Sequence, residues 1–243
     1  MNSSIASGGK AVYGAAIGIL MLEARFPRIP GDIGHAGTFP FPVLYKVVAG
    51  ASPDRVVRRR AEGLLDAFLE GARELVAMGA DGITTNCGFL SLFQRELAAA
   101  CDVPVATSSL MQAPFIERLL PPGQRVGILT VSAASLASEH LKQAGVSPDT
   151  PVRGTDGGRE ITRVLLGDEE LLDVAVARHD VLDAGEALVQ QHPEVGAVLL
   201  ECTNMCPYAR ALREHIGRPV FDMYNFIAWF QGGLTPRSWN APP

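Results

Sequence analysis

The chain has 243 residues, 47% of them apolar and 19% charged, with a formal net charge of −5. That balance describes a globular protein able to bury a sizeable core, and it gives no electrostatic reason to expect nucleic acid or an anionic membrane as partner. No stretch reaches the ~18 consecutive apolar residues of a membrane span, and Ala11–Leu22 has no convincing cleavage site after it. The expectation is a cytoplasmic protein, where the four cysteines (Cys87, Cys101, Cys202 and Cys206) are free thiols.

Residues 1–9 read as a flexible leader. The continuous apolar run 15–22 reads as a buried first strand. The segment 26–42 is too dense in Pro and Gly for regular structure, and its place after the first strand suggests a cover for a cleft, with Arg25 or Arg28 within reach of a substrate carboxylate. From Ser52-Pro53 the pattern turns helical up to Met78-Gly79, with Arg58-Arg59-Arg60 on its solvated face. A strand ending at Cys87, a helix over 89–100, a short strand over 102–107 and a helix over 112–120 follow. Pro121-Pro122-Gly123 then breaks the chain.

The scheme restarts with a strand over 125–132 and a helix over 133–144. A strand over 151–155, a helix over 169–191, a strand ending near Cys202 and a helix opened by Pro207 come next. A last strand over 219–222, a helix over 224–230 and a loose tail over 239–243 complete it. Alternating strands and helices imply parallel sheets with right-handed crossovers. The fold expected is α/β: two similar parallel-sheet lobes in a pseudo-twofold relation, with the active site between them. One lobe takes residues 10–107 plus 216–243, the other 108–215.

Two stretches stand out within that frame. Asp81-Gly82-Ile83-Thr84-Thr85-Asn86-Cys87-Gly88 and Val198-Leu199-Leu200-Glu201-Cys202-Thr203-Asn204 each run from an apolar strand into a cysteine flanked by small polar residues. The C-terminal ends of parallel strands face the ligand crevice of such sheets, and a helix N-terminus there favours a thiolate. Bringing a thiol from ~8.5 to ~7 takes about 2 kcal/mol, which a partly buried helix N-terminus can supply. Cys87 and Cys202 are therefore the candidate acid/base pair. Thr85, Asn86, Gly88, Thr203 and Asn204, with Thr130 and Ser132 at the equivalent strand end, are the candidate holders of a small carboxylate. Cys202, Cys206 and His215 lack a fourth zinc ligand, and Gly154-Thr155-Asp156-Gly157-Gly158 lacks a nucleotide-loop spacing. No metal or cofactor is expected.

Through Thr85-Asn86-Cys87-Gly88, Glu201-Cys202-Thr203-Asn204 and the two-lobed layout, the chain resembles the aspartate/glutamate/hydantoin racemase superfamily. The resemblance implies a cofactor-independent isomerase in which one of Cys87 and Cys202 removes an α-proton and the other returns a proton to the opposite face. Glutamate racemases carry Asp-Ser-Gly after the first strand, where this chain has Met21-Leu22-Glu23, and His where it has Asn204, which argues against glutamate as substrate. The leading expectation is a racemase or epimerase of a small amino acid or related carboxylate. A maleate-type cis–trans isomerase with a nucleophilic cysteine and a non-catalytic two-lobed binding protein are the alternatives. Oligomeric state stays open.

Overall fold

The computed structural model describes residues 8–237 and Trp239; the expected leader and tail fall largely outside the described residues. The first sheet has strand order β2-β1-β3-β4, all parallel, built from β1 (Ile17–Leu22), β2 (Val43–Val48), β3 (Gly82–Thr85) and β4 (Val105–Ala106). The second repeats that order as β6-β5-β7-β8, from β5 (Arg125–Thr130), β6 (Val152–Gly154), β7 (Val195–Leu200) and β8 (Val220–Phe221). Two parallel sheets flanked by helices are what the alternating pattern called for. Strands β1, β3 and β7 are buried along their whole length, which is why each reads as an unbroken run without polar alternation.

The helices are α1 (Pro53–Val57), α2 (Leu65–Met78), α3 (Gln94–Ala100), α4 (Ala113–Leu119), α5 (Ser138–Gln143), α6 (Ile161–Gly167), α7 (Val174–Gln191), α8 (Ala209–Ile216) and α9 (Met223–Leu234). A core running through both lobes joins Leu20, Phe68 and Leu75 to Ile128, Val181 and Leu199. A smaller one packs Ile17, Ile19 and Met21 of β1 against Met223, Phe226 and Ile227 of α9. Near the C-terminal end of the described residues, β8 pairs with β7 in the second sheet, while α9 packs on the first.

Several elements differ from the sequence reading. Strand β2 was not expected. It is a half-buried edge strand directly after the proline-dense segment, so its pattern is neither continuous nor alternating. The helix expected from 52 to 78 is two helices, because Arg60 and Ala61 have φ of 52° and 53° and Gly63 has φ of 70°. Arg58 and Arg59 therefore sit at a turn, both paired with Asp54. The helices after the two cysteines begin as 3-10 turns, Gly88–Phe93 and Thr203–Tyr208.

Helix α6 was also unread, and its start depends on a distant side chain. Asp180 of α7, 5% exposed, accepts from the backbone N–H groups of Arg159 (2.9 Å), Glu160 (2.6 Å) and Ile161 (3.0 Å). Its carboxylate supplies acceptors that the first turn of a helix otherwise lacks. Asp180→Ala should cost about 2–4 kcal/mol, since it leaves several buried donors unpaired. Urea denaturation measures this directly, and a loss under 0.5 kcal/mol would contradict it.

Candidate active site

Cys87 and Cys202 each lie two residues past the end of a strand, β3 and β7, so the repeated strand order brings the two thiols to one cleft, one from each lobe. Thr203 Oγ1 donates to the Asn86 carbonyl at 2.5 Å, tying the two cysteine turns together. Ser109 Oγ donates to the Leu200 carbonyl at 2.8 Å and fastens the segment after β4 to the end of β7. Both cysteines are buried, and with Asn86, Gly88, Thr203 and Asn204 they line a cavity of about 30 Å³. That is room for about one or two waters, since one needs roughly 10–15 Å³ by this measure. A substrate of several heavy atoms requires the lobes or the covering loop to part.

The remaining three expected binding residues stand outside this cavity. Thr85 Oγ1 accepts from Cys87 N–H (3.2 Å) and donates to the Thr107 carbonyl (2.7 Å), shaping the turn that presents the thiol. Thr130 Oγ1 donates to Glu201 Oε2 at 2.6 Å. Ser132 bonds Ser135 at 3.1 Å. Each is an inward-facing hydroxyl spent on a neighbour rather than on a ligand.

The loop between β1 and β2 covers the cleft. Its Phe26 and Arg28 line the cavity, together with Leu22, Val57, Phe89, Val131 and Leu165. Asp168, at the left-handed end of α6 (φ 52°), fastens the loop by accepting from Arg25 N (2.6 Å) and Phe26 N (3.3 Å). Gly31, with φ of 98°, lies against Pro207, where any Cβ would stand 3.2 Å from the proline Cα. Asp32, 2% exposed, accepts from Arg28 Nη1 (2.9 Å), from Gly34 N (2.7 Å) and from Asn204 Nδ2 across the cleft.

Of the two candidate arginines, Arg25 is solvent-facing and paired with Glu170 at 2.9 Å. Arg28 is the one in the site. Its side chain is 14% exposed, its guanidinium lies 4.8 Å from the Phe26 ring centroid, and its Nη2 is buried with no partner. Asn86 has the same character: Oδ1 accepts from Leu22 N (2.8 Å), while Nδ2 is buried and unpartnered. Two unpaired donors on one small cavity are a costly arrangement unless an anion meets them.

Electrostatics correct one expectation. The thiols are not lowered in the closed cleft. Burial, and after it the Glu201 charge, pushes Cys87 up to about 12, against the pull of the Phe89 and Leu90 N–H groups and of Arg28. Cys202 is raised well above its ordinary value by burial, then by Glu201. A 3-10 turn over a fully buried sulfur offers less stabilisation than desolvation removes. Glu201 itself was missed as a site residue. It is fully buried, burial pushes its carboxyl up to about 7, and its Oε1 has no partner. A carboxylate in the middle of an apolar strand end was the available signal.

The family model for Asp/Glu/hydantoin racemase matches residues 60–230. The chain belongs to that family. Among curated relatives, a dimethylsulfoniopropionate lyase of Durusdinium sp. clade D is 26% identical over 240 residues, 94% of this chain and 80% of that protein. Dimethylsulfoniopropionate lyase 5 of Emiliania huxleyi is 30% identical over 231 residues, 90% of this chain but 45% of that longer protein. Of solved structures, an arylmalonate decarboxylase variant aligns with a TM-score of 0.62 at 16% identity, covering 93% of this chain and 96% of its own. Allantoin racemase from Klebsiella pneumoniae aligns at 0.58 and 18% identity, with the same coverages. These structural likenesses show the racemase-family fold. Among the described residues, no cluster of three or more His, Cys, Asp or Glu is placed to hold a metal, and no helix is long and apolar enough to cross a membrane. His215 faces Glu186 at 3.1 Å.

Proposed function

We propose that this racemase-family member removes a proton from the carbon beside the carboxylate of a small acid, with Cys87 as base, and that the reaction ends in β-elimination. The observation that carries this reading is the pairing of two thiols with two unpartnered donors, Arg28 Nη2 and Asn86 Nδ2, on one cavity. The donors suit a carboxylate, and in a dry site their charge and dipole also stabilise the enolate-like charge that develops as the proton leaves.

The surroundings of the two sulfurs differ in a way that supports different roles for them. Cys87 receives backbone N–H groups of Phe89 and Leu90 and the field of Arg28, all of which favour its thiolate. Cys202 Sγ lies 3.6 Å from Asn204 Oδ1, with the amide nitrogen of Asn204 held by Asp32. An amide oxygen fixed toward a sulfur favours the protonated thiol. Cys87 is the base and Cys202 the thiol that faces it.

Elimination is preferred to racemisation because relatives matching nearly the whole chain are named dimethylsulfoniopropionate lyases. In such a substrate the C–H pair becomes the new C=C bond, and the C–S pair leaves with neutral dimethyl sulfide, so acrylate forms without an acid at the leaving group. The apolar wall of Leu22, Phe26, Val57, Phe89, Val131 and Leu165 suits two S-methyl groups better than a second carboxylate. Aromatic faces at Phe26 and Phe89 also suit a sulfonium cation. Racemisation of a small carboxylate is the second reading, favoured by the presence of Cys202 on the same cavity.

The test is a panel of dimethylsulfoniopropionate, chiral amino acids, hydantoins and maleate. Headspace gas chromatography should find dimethyl sulfide released in step with acrylate. Optical change without elimination would move the assignment to a racemase. Binding with no turnover of any member would leave a non-catalytic protein. Within this site, Arg28→Ala should lower kcat/KM by about 10- to 100-fold through loss of a charge-assisted contact. Arg25→Ala should stay within about 2-fold, since its pairs are exposed and weak. Equal effects in the two variants would remove Arg28 from the carboxylate site.

A further inference from the structure

Glu201 has no part in carboxylate binding as described above, yet it is the most enclosed ionisable group of the site. Its backbone adjoins Cys202, and its side chain reaches across to the turn that follows Cys87. A Cβ placed on Gly88 would overlap Glu201 Oε1 and crowd its backbone oxygen, so only glycine lets the carboxyl lie beside the Cys87 turn. One oxygen, Oε2, is committed to the Thr130 hydroxyl at 2.6 Å, while Oε1 is buried and unpartnered on a residue that lines the cavity.

We propose that Glu201 is the proton partner of Cys87: its carboxylate takes up the proton that the thiol sheds, and returns it when the thiol re-forms. The proposal rests on the reading of Cys87 as the base. The exchange is balanced within the protein: the S–H bond breaks, an O–H bond forms at Oε1, and the negative charge moves from oxygen to sulfur. After the sulfur has taken a proton from the substrate carbon, Glu201 passes its own proton to water as the cleft opens, and the same exchange then frees the thiolate for the next turnover. The 30 Å³ cavity is large enough for a single water to relay the transfer.

The exchange also relieves the electrostatic obstacle to thiolate formation. An ionised Glu201 opposes ionisation of both sulfurs, and a protonated one does not. The other charged or titratable groups facing this cluster are Arg28 and Asp32 from the covering loop, Cys202 beside it in the chain, and His140 of α5. Arg28 favours the Cys87 thiolate, and Asp32 opposes that of Cys202. His140 is held neutral by burial, which lowers it to about 4, and touches the cluster only through an edge-on contact with Phe89, 5.1 Å between centroids.

Peptide-resolved iodoacetamide labelling of Cys87 against pH tests this without a substrate. When two groups share one proton, the fraction present as thiolate plus carboxylic acid is constant between their two macroscopic ionisations. The labelling rate of the intact chain should therefore show a pH-independent step above about pH 7. In Glu201→Gln it should instead climb about tenfold per pH unit with no step. In Thr130→Val, which strips the hydrogen bond that opposes the upward shift of Glu201, the step should begin at higher pH. That variant also keeps the test open should Glu201→Gln fail to fold. Profiles of the intact chain and Glu201→Gln with the same shape, or a Thr130→Val step that does not move, would overturn the proposal. A step in the intact chain, lost in Glu201→Gln, in a protein that turns over no carboxylate would uphold the proton pair and reject the lyase reading instead.

Discussion

Cys87→Ala should reduce dimethyl sulfide release by about 10³-fold or more, and Cys202→Ala by no more than about 10-fold. Removing a positioned general base commonly costs 10²- to 10⁴-fold, and the upper part of that range fits here because Glu201, the other base on the cavity, is proposed to exchange its proton with the Cys87 sulfur rather than with the substrate carbon. Glu201 has one oxygen bound to Thr130 and acts on the carbon only through the sulfur. The milder effect at Cys202 follows from the leaving group. A sulfonium departs as a neutral thioether, so elimination needs one base and no acid. Racemisation has the opposite requirement. Inverting a carbon takes an acceptor on one face and a donor on the other, so either alanine variant would stop it in both directions. The pair of variants therefore separates the two readings by kinetics alone: equal and near-complete loss at both cysteines favours racemisation, and a strongly unequal loss favours elimination. Near-parental turnover by Cys87→Ala would end its assignment as base. Burial of the sulfur enlarges these effects, because an enclosed thiolate loses hydration that would otherwise blunt its basicity.

Much of this site could be read from sequence because it lies at strand ends. The run before Cys202 is continuous and apolar and the one before Cys87 is short and free of charge, since β7 and β3 are buried along their length, and a cysteine just past the C-terminal end of such a strand lies at the ligand crevice. The candidate residues that lie outside the cavity share a different property. Thr85, Thr130 and Ser132 are polar residues at the right positions along the chain, but strand geometry alternates side chains between faces, and theirs meet Thr107, Glu201 and Ser135 instead of the cavity. Which hydroxyl is committed to a neighbour is decided by tertiary contacts that spacing alone does not carry. Arg28 was within reach of the sequence argument only as one of two arginines near a loop. The choice between them rests on Asp32 and Phe26, which draw Arg28 inward, and on Asp168 and Glu170, which draw Arg25 outward.

The thiol electrostatics failed to follow from sequence for a related reason. A cysteine before a helical pattern suggests a macrodipole and a lowered pKa. The local element is instead a short 3-10 turn, and the sulfur is enclosed by Phe89, Leu22 and the covering loop, so desolvation outweighs the dipole. The result changes the character of the base. A sulfur whose conjugate acid is weak is populated less as thiolate but takes a carbon-bound proton more readily once formed, which suits a substrate activated by a single carboxylate.

The same enclosure makes Glu201 a cost to the folded state, with a sign that can be worked out. Burial raises its carboxyl from 4.5 in the unfolded chain to about 7 in the native protein. Between those values the native state holds a proton that the unfolded state has released. Its contribution is therefore intact below about pH 4.5 and declines as pH rises through 7, where it levels off at roughly 3 kcal/mol lower. Glu201→Gln removes this titration. Its amide oxygen still accepts from Thr130, and its volume is nearly that of the neutral acid, so packing around Gly88 is retained. The variant should match the parent near pH 4.5 and exceed it by about 3 kcal/mol at pH 8 in urea denaturation. His140 titrates in the opposite sense, losing stability as pH falls below its ordinary value, but it is common to both proteins and cancels in the difference. The raised thiols contribute little below pH 8 because they are protonated in both states there. A difference that stays flat from pH 4.5 to 8 would show that Glu201 ionises normally. A difference that grows with pH, in a variant whose turnover has fallen, would mark the carboxyl as a group kept at the expense of stability for what it does to the thiols.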